Sequence, residues 1–414
     1  MQQVNAISSG PAKHKTTMNV CLFTDSFLPK IGGMELVVHN LANALQAQGC
    51  RVTVIAKYFK GTLSFSRRYA IRRYGNRIPF SGRSGYDALA GIAALLRAHH
   101  RNAFDVIHCH GASYAASRVY LAKRSGLLRQ PVIITPHGED IQMVPELGYG
   151  LRLQKKWDRI IRRNLTAADR VTAISTTISN QLDFIPPEKI AMIPNGIFMS
   201  DFDTQARHDL HRRLGLAPED KIVLSVGRHH RVKGYAYGVR TFNILRHLPA
   251  AQHLKYVIIG KDVERLTPAI REMHLQRTVF AIPQMDREDI VRAYASAWCF
   301  LSPSLSEGLS LVSLEAMACG LPLIVTDVPG NADIVSDNGC GMIVAAKEPR
   351  QIADALLHLM AHADAHEQFR QRALQRAPIY DWGVIAARYI ALYRQIAPEN
   401  ASAGVQARVA RPGV

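Results

Sequence analysis

The chain has 414 residues, which is longer than one hydrophobic core usually organises and therefore favours two domains. Apolar residues make up 48% of it and the mean hydropathy is −0.04, which is typical of a globular protein with an ample core. No run approaches the about 20 apolar residues of a membrane-spanning helix, and the formal net charge of +18 requires an anionic partner or a solvated basic surface.

Short apolar runs alternate with segments of helical periodicity along nearly the whole chain, a pattern typical of parallel sheets built from β-α-β units. The first series of predicted strands comprises Asn19–Thr24, Val52–Ala56, Val106–Cys109, Val132–Thr135, Val171–Ala173 and Ile190–Ile193. After Pro194-Asn195-Gly196 a second series comprises Ile222–Val226, Tyr256–Ile259, Thr278–Phe280, Cys299–Ser302, Leu323–Thr326 and Gly341–Val344. We therefore predict an α/β protein with two doubly wound, Rossmann-like domains that face each other across a cleft.

The predicted organisation has five parts. Residues 1–17 are a polar lead without the apolar stretch of a secretory signal, and residues 398–414 are a basic tail rich in small residues. Both are expected to be disordered. Between them lie a first domain over 18–196, a second domain over 197–381 and a C-terminal helix over 382–397.

Ligands of doubly wound sheets bind beyond the carboxyl ends of the strands, and each candidate motif follows a predicted strand. Gly32 and Gly33 follow the first strand, and paired glycines let a backbone approach a phosphate or a sugar closely, although such a pair is also a common turn. No G-x-G-x-x-G follows a strand, so a dinucleotide oxidoreductase is not supported. After the fourth strand, His137 with Asp140 three residues on is a candidate to contact a reacting sugar.

Two cations share one loop in the second half of the chain. Arg228 ends a predicted strand and Lys233 precedes the next helix, five positions later. A guanidinium and an ammonium on one loop can clamp a diphosphate. They would then neutralise the charge that develops when a nucleoside diphosphate departs, as a divalent metal does elsewhere. Two solvated loop cations are the alternative interpretation.

The stretch from Ser302 to Pro322 carries the most specific signal. It places Glu307 on a polar turn and Glu315 inside the apolar helix that follows. The backbone N–H groups around residues 310–312 lie between the two carboxylates and have no intrahelical partners. Amides for phosphate, one carboxylate for a ribose diol and another for sugar hydroxyls suit a sugar nucleotide. A buried helix with a capping glutamate is the alternative, and the cation pair in the same domain disfavours it.

Positive charge concentrates in two segments of the first half. From Lys57 to Arg101 ten residues are Lys or Arg and only Asp87 is acidic, and the stretch Arg67 to Arg83 lies within this segment. A predicted helix from Leu151 to Leu165 combines an apolar stripe with a basic face formed by Arg152, Lys155, Lys156, Arg159, Arg162 and Arg163. An anionic membrane surface, nucleic acid and a merely solvated face all remain open. Because no nucleic-acid-binding motif is found, we predict peripheral membrane contact and no nucleic-acid partner.

The six cysteines are scattered and contain no C-x-x-C pair, so free thiols in a reducing cytoplasm are predicted. The tripeptide His108-Cys109-His110 is not predicted to bind a metal, because adjacent strand residues point to opposite faces.

From about Met18 to about Ala397 the chain resembles the retaining glycosyltransferases of family 4, whose members have the two-domain GT-B architecture. The most specific match is P-S-x-x-E-G-(x6)-E-A-M-A-C-G-x-P, which Pro303 to Pro322 fulfil. The resemblance implies an acceptor-side first domain, a donor-side second domain and a C-terminal helix that crosses back to the first.

The resemblance also implies a role for each motif. Glu307 is expected to contact the hydroxyls of the donor sugar and Glu315 the ribose, and Arg228 and Lys233 match a loop that binds the diphosphate. His137 is expected beside the donor sugar. Further expected donor-binding positions are Gly32, Gly33, Gly308, Leu309, Ser310 and Leu311.

The chain departs from the family pattern at two places. Leu309 and Ser310 stand where the family commonly has Phe and Gly, and Ala281-Ile282-Pro283 replaces a usual Gly near the nucleobase. These departures leave the sugar and the choice between uracil and guanine open. Asp201-Phe202-Asp203 matches a metal-binding D-x-D of the other large glycosyltransferase fold, but it follows the interdomain turn, and no metal or cofactor is expected.

The function implied is transfer of a hexose from a nucleoside diphosphate sugar, with a UDP-sugar favoured and GDP-mannose next, to a glycan or lipid-linked acceptor. Configuration would be retained, with the departing phosphate accepting the proton of the acceptor hydroxyl. The expected location is the cytoplasm, at the inner face of the membrane. A sugar-nucleotide 2-epimerase of the same fold and a non-catalytic nucleotide-sugar binding protein are the alternatives.

Overall fold

The computed structural model describes residues 17–30, 32–61, 66–75, 85–202 and 209–397. Residues 1–16 of the predicted lead and the whole predicted tail, 398–414, lie outside the described residues. The same holds for residues 76–83 of the basic stretch and for Asp203 of the D-x-D tripeptide.

The first domain is built on a parallel sheet that has, within the described residues, seven strands in the order β3-β2-β1-β4-β5-β6-β7. The strands are β1 Asn19–Thr24, β2 Arg51–Lys57, β3 Ala70–Tyr74, β4 Val106–His110, β5 Val132–Thr135, β6 Arg170–Ala173 and β7 Ile190–Met192. Its helices are α1 Gly33–Ala47, α2 Gly85–Asn102, α3 Tyr114–Arg124, α4 Lys155–Thr166 and α5 Thr176–Asn180. The inner strands are apolar on both faces because helices cover both sides of the sheet.

The second domain repeats this plan with a parallel sheet of six described strands in the order β10-β9-β8-β11-β12-β13. The strands are β8 Lys221–Val226, β9 Leu254–Ile259, β10 Val279–Ile282, β11 Cys299–Ser302, β12 Leu323–Thr326 and β13 Gly341–Val344. The helices are α6 Asp209–Leu214, α7 Tyr235–Leu245, α8 Thr267–Glu272, α9 Arg287–Ser296, α10 Leu311–Ala318, α11 Ala332–Asn338, α12 Pro349–Ala361 and α13 Ala363–Arg376. The predicted pair of doubly wound domains is thus confirmed.

The last helix, α14 (Trp382–Ile396), packs on the first domain. Asp381 caps it by accepting a hydrogen bond from the backbone N–H of Gly383 at 2.7 Å. Where the chain returns, Ile197 and Asp381 pair side by side, and an added Cβ on Gly196 would lie 2.8 Å from the Trp382 ring. The two segments that connect the domains, one at Gly196-Ile197 and the other at Asp381-Trp382, therefore lie against each other, as expected of a hinge.

The structure departs from the sequence predictions in one strand that was missed, in several strand ends that differ by one or two residues, and in one helix. Strand β3 was not predicted, because Arg72 and Arg73 break the apolar run of this edge strand. Strand β10 begins one residue later and ends two residues later than predicted. The predicted helix from Leu151 begins only at Lys155, because Gln154 is extended and a separate 3-10 turn, Leu151–Leu153, precedes it.

Arg152, which we assigned to the exposed basic face, is buried instead. Its guanidinium donates to the carboxylate of Asp158 and to the backbone carbonyls of Ile141 and Gln181. A guanidinium can be buried when its donors are satisfied in this way. Among the described helices, none is long and apolar enough to cross a membrane.

Candidate functional site

The predicted motifs meet where strand order reverses in each sheet. Strand β1 lies between β2 and β4, and β8 lies between β9 and β11. The loops that follow β1, β4, β8 and β11 therefore leave their sheets beside a topological switch point, where doubly wound proteins bind ligands. These loops and the one after β5 carry the glycine pair, His137, the cation pair and Glu307.

Glu307 lies at the centre of this arrangement, with a side chain that is 10% exposed. Its Oε1 accepts hydrogen bonds from Lys233 Nζ at 2.6 Å and from Ser304 Oγ at 2.8 Å. These donors hold the carboxylate in one orientation and keep it close to a positive charge. Such a carboxylate is suited to accept hydrogen bonds from hydroxyl groups of a ligand.

The backbone brings Lys233 to Glu307. Gly234 adopts a left-handed conformation, with φ of 62°, and an added Cβ would lie 1.9 Å from the carbonyl oxygen of Pro303. Only glycine fits here, so the loop after β8 packs directly on the loop after β11. Two segments some seventy residues apart in sequence thereby place a cation and a carboxylate in contact.

Arg228 follows β8 at the same edge, and its side chain is exposed. Its charge and those of Glu139, Asp140 and Glu307 all act on the hydroxyl of Tyr149. Burial raises the pKa of Tyr149, the three carboxylates raise it further, and Arg228 opposes them. A Cβ on the preceding residue, Gly227, would lie 4.0 Å from Cε of Lys233, so Arg228 leaves its strand beside the lysine that contacts Glu307.

Glu315 lies within α10 and has different partners. Its Oε1 accepts a hydrogen bond from Arg287 Nη1 at 2.6 Å, and its Oε2 accepts one from the hydroxyl of Tyr294 at 2.9 Å. Burial tends to lower the pKa of Arg287, but the carboxylate of Glu315 outweighs it, so the pKa is raised. The guanidinium also lies 4.9 Å from the centroid of the Phe202 ring.

The first turn of α10 separates the two glutamates. Ser310 precedes this turn with extended backbone, and the N–H groups of Leu311 and Val312 lie where an α-helix offers no intrahelical acceptor. Leu309 packs against core residues of both domains and Leu311 against the first. The helix terminus consequently faces the seam between the domains, and its positive dipole end favours an anion there.

On the first domain, the glycine pair lies at the start of α1, where Gly32 is the N-cap and Gly33 the first helical residue. A Cβ on Gly32 would lie 2.4 Å from Oε2 of Glu35, whereas a Cβ on Gly33 would meet nothing within 4 Å. The space beside Gly33 is therefore open, which lets a ligand approach the backbone. Glu35 is buried, accepts a hydrogen bond from Ser26, and lies 4.0 Å from the Lys30 ammonium.

His137 belongs to a row of three imidazoles. His137 Nε2 is hydrogen-bonded to His110 Nδ1 at 3.0 Å, and the ring of His110 lies 4.2 Å from that of His108. His108 in turn contacts the hydroxyls of Tyr393 and Thr135, both at 2.7 Å. Both histidines of β4 lie on one face of the strand, and each contacts its neighbour in the row.

The loop around His137 is fixed by Asp140. One oxygen of this carboxylate accepts from the backbone N–H groups of His137 and Gly138, at 2.9 and 3.0 Å. The other accepts from the N–H of Ala112 at 2.7 Å. The loops that follow β4 and β5 are thereby joined, and His137 is held on the cleft side of the first domain.

The imidazole row predicts a loss of stability in mild acid. Burial, and secondarily the charge of His137, lowers the pKa of His108 to about 3; burial also lowers those of His110 and His137. The pKa of a histidine in the unfolded chain is about 6.5. As the pH falls below that value the unfolded chain binds more protons than the folded one, so the free energy of unfolding decreases. His108 alone should account for about 2 kcal/mol between pH 7.5 and 5.

Urea unfolding followed by tryptophan fluorescence at pH 7.5 and 5 measures this loss. The variant His108→Gln should be less stable at pH 7.5, since the ring contacts with His110 and Tyr389 are lost, yet should lose about 2 kcal/mol less than the wild type on acidification. An equal loss in both proteins would show that the buried imidazole is not the group that titrates.

Sequence reasoning did not identify several residues of the site. Arg287 and Tyr294 hold Glu315, Ser304 holds Glu307, and Gln142 and Ser175 reach the loop of Glu307 from the first domain. Only Ser304 lay within a recognised pattern. The others belong to no local motif, and folding alone brings them to the site.

No group of three or more His, Cys, Asp or Glu side chains is placed to hold a metal ion within the part of the chain that the structure describes. Asp201 of the D-x-D tripeptide lies 3.6 Å from Arg287 Nη2, as an ion pair. The prediction that no divalent metal is needed stays a prediction.

Comparison with known proteins adds to this geometry. The profile of glycosyltransferase family 4 matches residues 31–200, and that of glycosyl transferases group 1 matches residues 206–376. The chain is 27% identical over 393 residues to a GDP-mannose:cellobiosyl-diphosphopolyprenol alpha-mannosyltransferase of Xanthomonas oryzae, covering 91% of this chain and 96% of that protein. It is 27% identical over 407 residues to a D-inositol 3-phosphate glycosyltransferase of Acidothermus cellulolyticus, covering 92% and 90%.

A solved structure has the same architecture. HepE of Anabaena in complex with UDP superimposes with a TM-score of 0.74 at 18% identity, covering 91% of this chain and all of that one. At this identity the likeness shows the fold, and the predicted GT-B architecture is confirmed.

Proposed function

Because the chain belongs to glycosyltransferase family 4, and is thus a glycosyltransferase that uses a nucleotide sugar, we propose that it transfers a hexose to a glycan or lipid-linked acceptor with retention of configuration. The observation that carries this proposal is the contact between Lys233 and Glu307 beside the first turn of α10. A cation, a fixed carboxylate and free helix amides are the groups that a diphosphate-linked sugar requires.

Each residue is proposed to act at a different part of the donor. Arg228 and Lys233 neutralise the diphosphate as it departs, the amides after Ser310 bind phosphate oxygens, and Glu307 accepts hydrogen bonds from the sugar. His137 lies beside that sugar, and Glu315 binds the ribose. Catalysis then rests on charge stabilisation and positioning, and the departing phosphate receives the proton of the acceptor hydroxyl without help from a metal.

We propose that the acceptor is a lipid-linked glycan and that the transfer belongs to the synthesis of a cell-surface polysaccharide or lipid glycan. The name of the Xanthomonas relative gives that protein a diphosphopolyprenol acceptor and GDP-mannose as donor. A transfer assay should therefore compare GDP-mannose with UDP-glucose on a glycosylated diphosphopolyprenol, in EDTA, with NMR assignment of the new anomeric centre. Transfer with retention supports the proposal, whereas an epimerised nucleotide sugar formed without acceptor, or binding without turnover, would overturn it.

A surface of the first domain supports docking to an anionic membrane. Helices α3 and α4 pack together, and Tyr114 contacts the ring of Trp157 at 4.6 Å. The exposed side chains on these two helices and the loops that flank them include the apolar Leu121, Leu127 and Leu153 and the cations Lys155, Lys156, Arg159 and Arg163. Exposed apolar residues among cations are typical of proteins that lie on a membrane surface. We therefore propose that the enzyme acts at the inner face of the cytoplasmic membrane.

Liposome flotation tests this surface. Each cation near an anionic membrane contributes about 1 kcal/mol, so the double variant Lys155→Gln/Lys156→Gln should bind vesicles containing anionic lipid about 30-fold more weakly. The matched control Lys347→Gln/Arg350→Gln removes two exposed cations from the second domain and should bind like the wild type. Equal binding by both variants, or binding that salt does not weaken, would contradict the proposed surface.

A further inference from the structure

The two domains are joined by hydrogen bonds next to the glutamate that we assign to the donor sugar. Gln142 of the first domain donates from Nε2 to the backbone carbonyl of Glu307 at 2.5 Å and accepts at Oε1 from Ser306 Oγ at 3.3 Å. Ser175, also of the first domain, donates from Oγ to the carbonyl of Gly308 at 2.6 Å. Both side chains are buried.

The backbones of the two domains approach closely at the same point. A Cβ on Gly308 would lie 2.3 Å from the carbonyl oxygen of His137, so only glycine fits between the loops. On its other side, a Cβ on Gly330 would lie 2.6 Å from the carbonyl oxygen of Gly308. The Glu307-Gly308 segment is therefore enclosed between the loop of His137 and the loop after β12.

Gln142 is itself held rigidly in the first domain. Its N–H donates to the carbonyl of Gly138 at 2.8 Å, and its own carbonyl lies so close to Gly150 that a Cβ there would be 2.0 Å away. The preceding carbonyl, of Ile141, accepts from the buried Arg152. A side chain that extends from so fixed a backbone can fix the position of its partner.

We propose that Gln142, together with Ser175, is a positioning residue that latches the Glu307-Gly308 segment to the first domain and so holds Glu307 and His137 against the same donor sugar. This inference rests on the proposed function. Both ends of the Gln142 amide are occupied by the second domain, so Gln142 acts through Glu307 and does not bind the sugar. Opening the cleft would break both links and separate the two groups.

The hydrogen bonds of Gln142 and Ser175 can form only while the two domains are in contact at this point. Their loss should therefore affect sugar transfer and nucleotide binding differently. The side chains assigned to the diphosphate and the ribose all belong to the second domain, and the first domain offers the nucleotide only the backbone at Gly32 and Gly33, so loss of the latch should change nucleotide affinity little. We expect kcat to fall instead, because the donor sugar would be held less firmly in place relative to the first domain. A residue needed merely for folding would not separate these two effects.

The experiment compares Gln142→Met, which keeps the length of the side chain and removes both hydrogen bonds, with the wild type. We expect kcat to fall about 10-fold or more, with the dissociation constant for GDP or UDP within about threefold. Small-angle scattering of the unliganded protein should show a larger radius of gyration in the variant. This scattering result does not depend on sugar transfer, so it separates failure of the latch from failure of the proposed function.

Two further variants complete the test. Gln252→Met makes the same chemical change at an exposed position at the amino end of β9 and should leave kcat and the radius of gyration unchanged. Ser175→Ala should lower kcat, and Ser175→Thr, which keeps the hydroxyl, should restore it. A kcat within threefold of the wild type in both Gln142→Met and Ser175→Ala, or a parallel loss of nucleotide affinity, would overturn the latch.

Discussion

Replacing Arg228 or Lys233 by alanine should lower turnover about 100-fold or more, because preorganised groups that stabilise a departing anion each contribute about 3–4 kcal/mol. The structure adds a reason specific to Lys233. Its ammonium lies 2.6 Å from Glu307, so its removal also leaves a nearly buried carboxylate without its counter-charge. Arg228 acts from the exposed side of the same cleft. Steady-state kcat with the preferred donor is the measurement.

The matched control for the cation pair is Arg231→Ala, which removes an exposed charge from the same loop. Its turnover should stay within about threefold of the wild type, because a nonspecific loss of positive charge contributes little at an exposed site. If both Arg228→Ala and Lys233→Ala also remain within threefold, the diphosphate assignment of the pair is wrong.

Glu307→Gln should lower turnover about 100-fold, since a hydrogen bond to a charged group contributes about 1.5–3 kcal/mol and the amide no longer attracts Lys233. Nucleotide affinity should remain within about threefold, because Glu307 is assigned to the sugar and not to the nucleotide. The kinetic and binding measurements together therefore show whether Glu307 contacts the sugar or the nucleotide of the donor.

Glu348→Gln serves as the control for Glu307→Gln, because it neutralises an exposed carboxylate at the start of α12. Unchanged turnover is expected. A loss of nucleotide affinity in Glu307→Gln as large as the loss of turnover would move Glu307 from the sugar to the phosphates.

The fold could be predicted because buried parallel strands leave a strong pattern. Runs such as Asn19–Thr24 and Cys299–Ser302 are apolar on both faces and have the length of a strand, so their bounds were predicted correctly. Strand β3 lies at a sheet edge, where Arg72 and Arg73 are tolerated, and its sequence therefore lacks that pattern. Arg152 was misplaced because periodicity does not reveal a guanidinium that turns inward to bind carbonyls.

The site could be predicted only in part. The rule that ligands lie beyond strand ends predicts that Glu307, Lys233 and His137 share one cleft. The pairing of Lys233 with Glu307 depends on the close packing of Gly234 on Pro303, which sequence spacing does not encode. Gln142 and Arg287 meet the site through contacts between distant segments, so no local pattern marked them.

Calorimetric titration of the purified protein with UDP, GDP and ADP in EDTA, repeated with Glu315→Ala, tests the central claim most directly. The account predicts that one nucleotide binds with a dissociation constant in the micromolar range. It also predicts that Glu315→Ala loses this binding, because the carboxylate held by Arg287 and Tyr294 is assigned to the ribose. Absence of binding by all three nucleotides, or equal binding by the variant, would contradict a nucleotide-sugar site at α10.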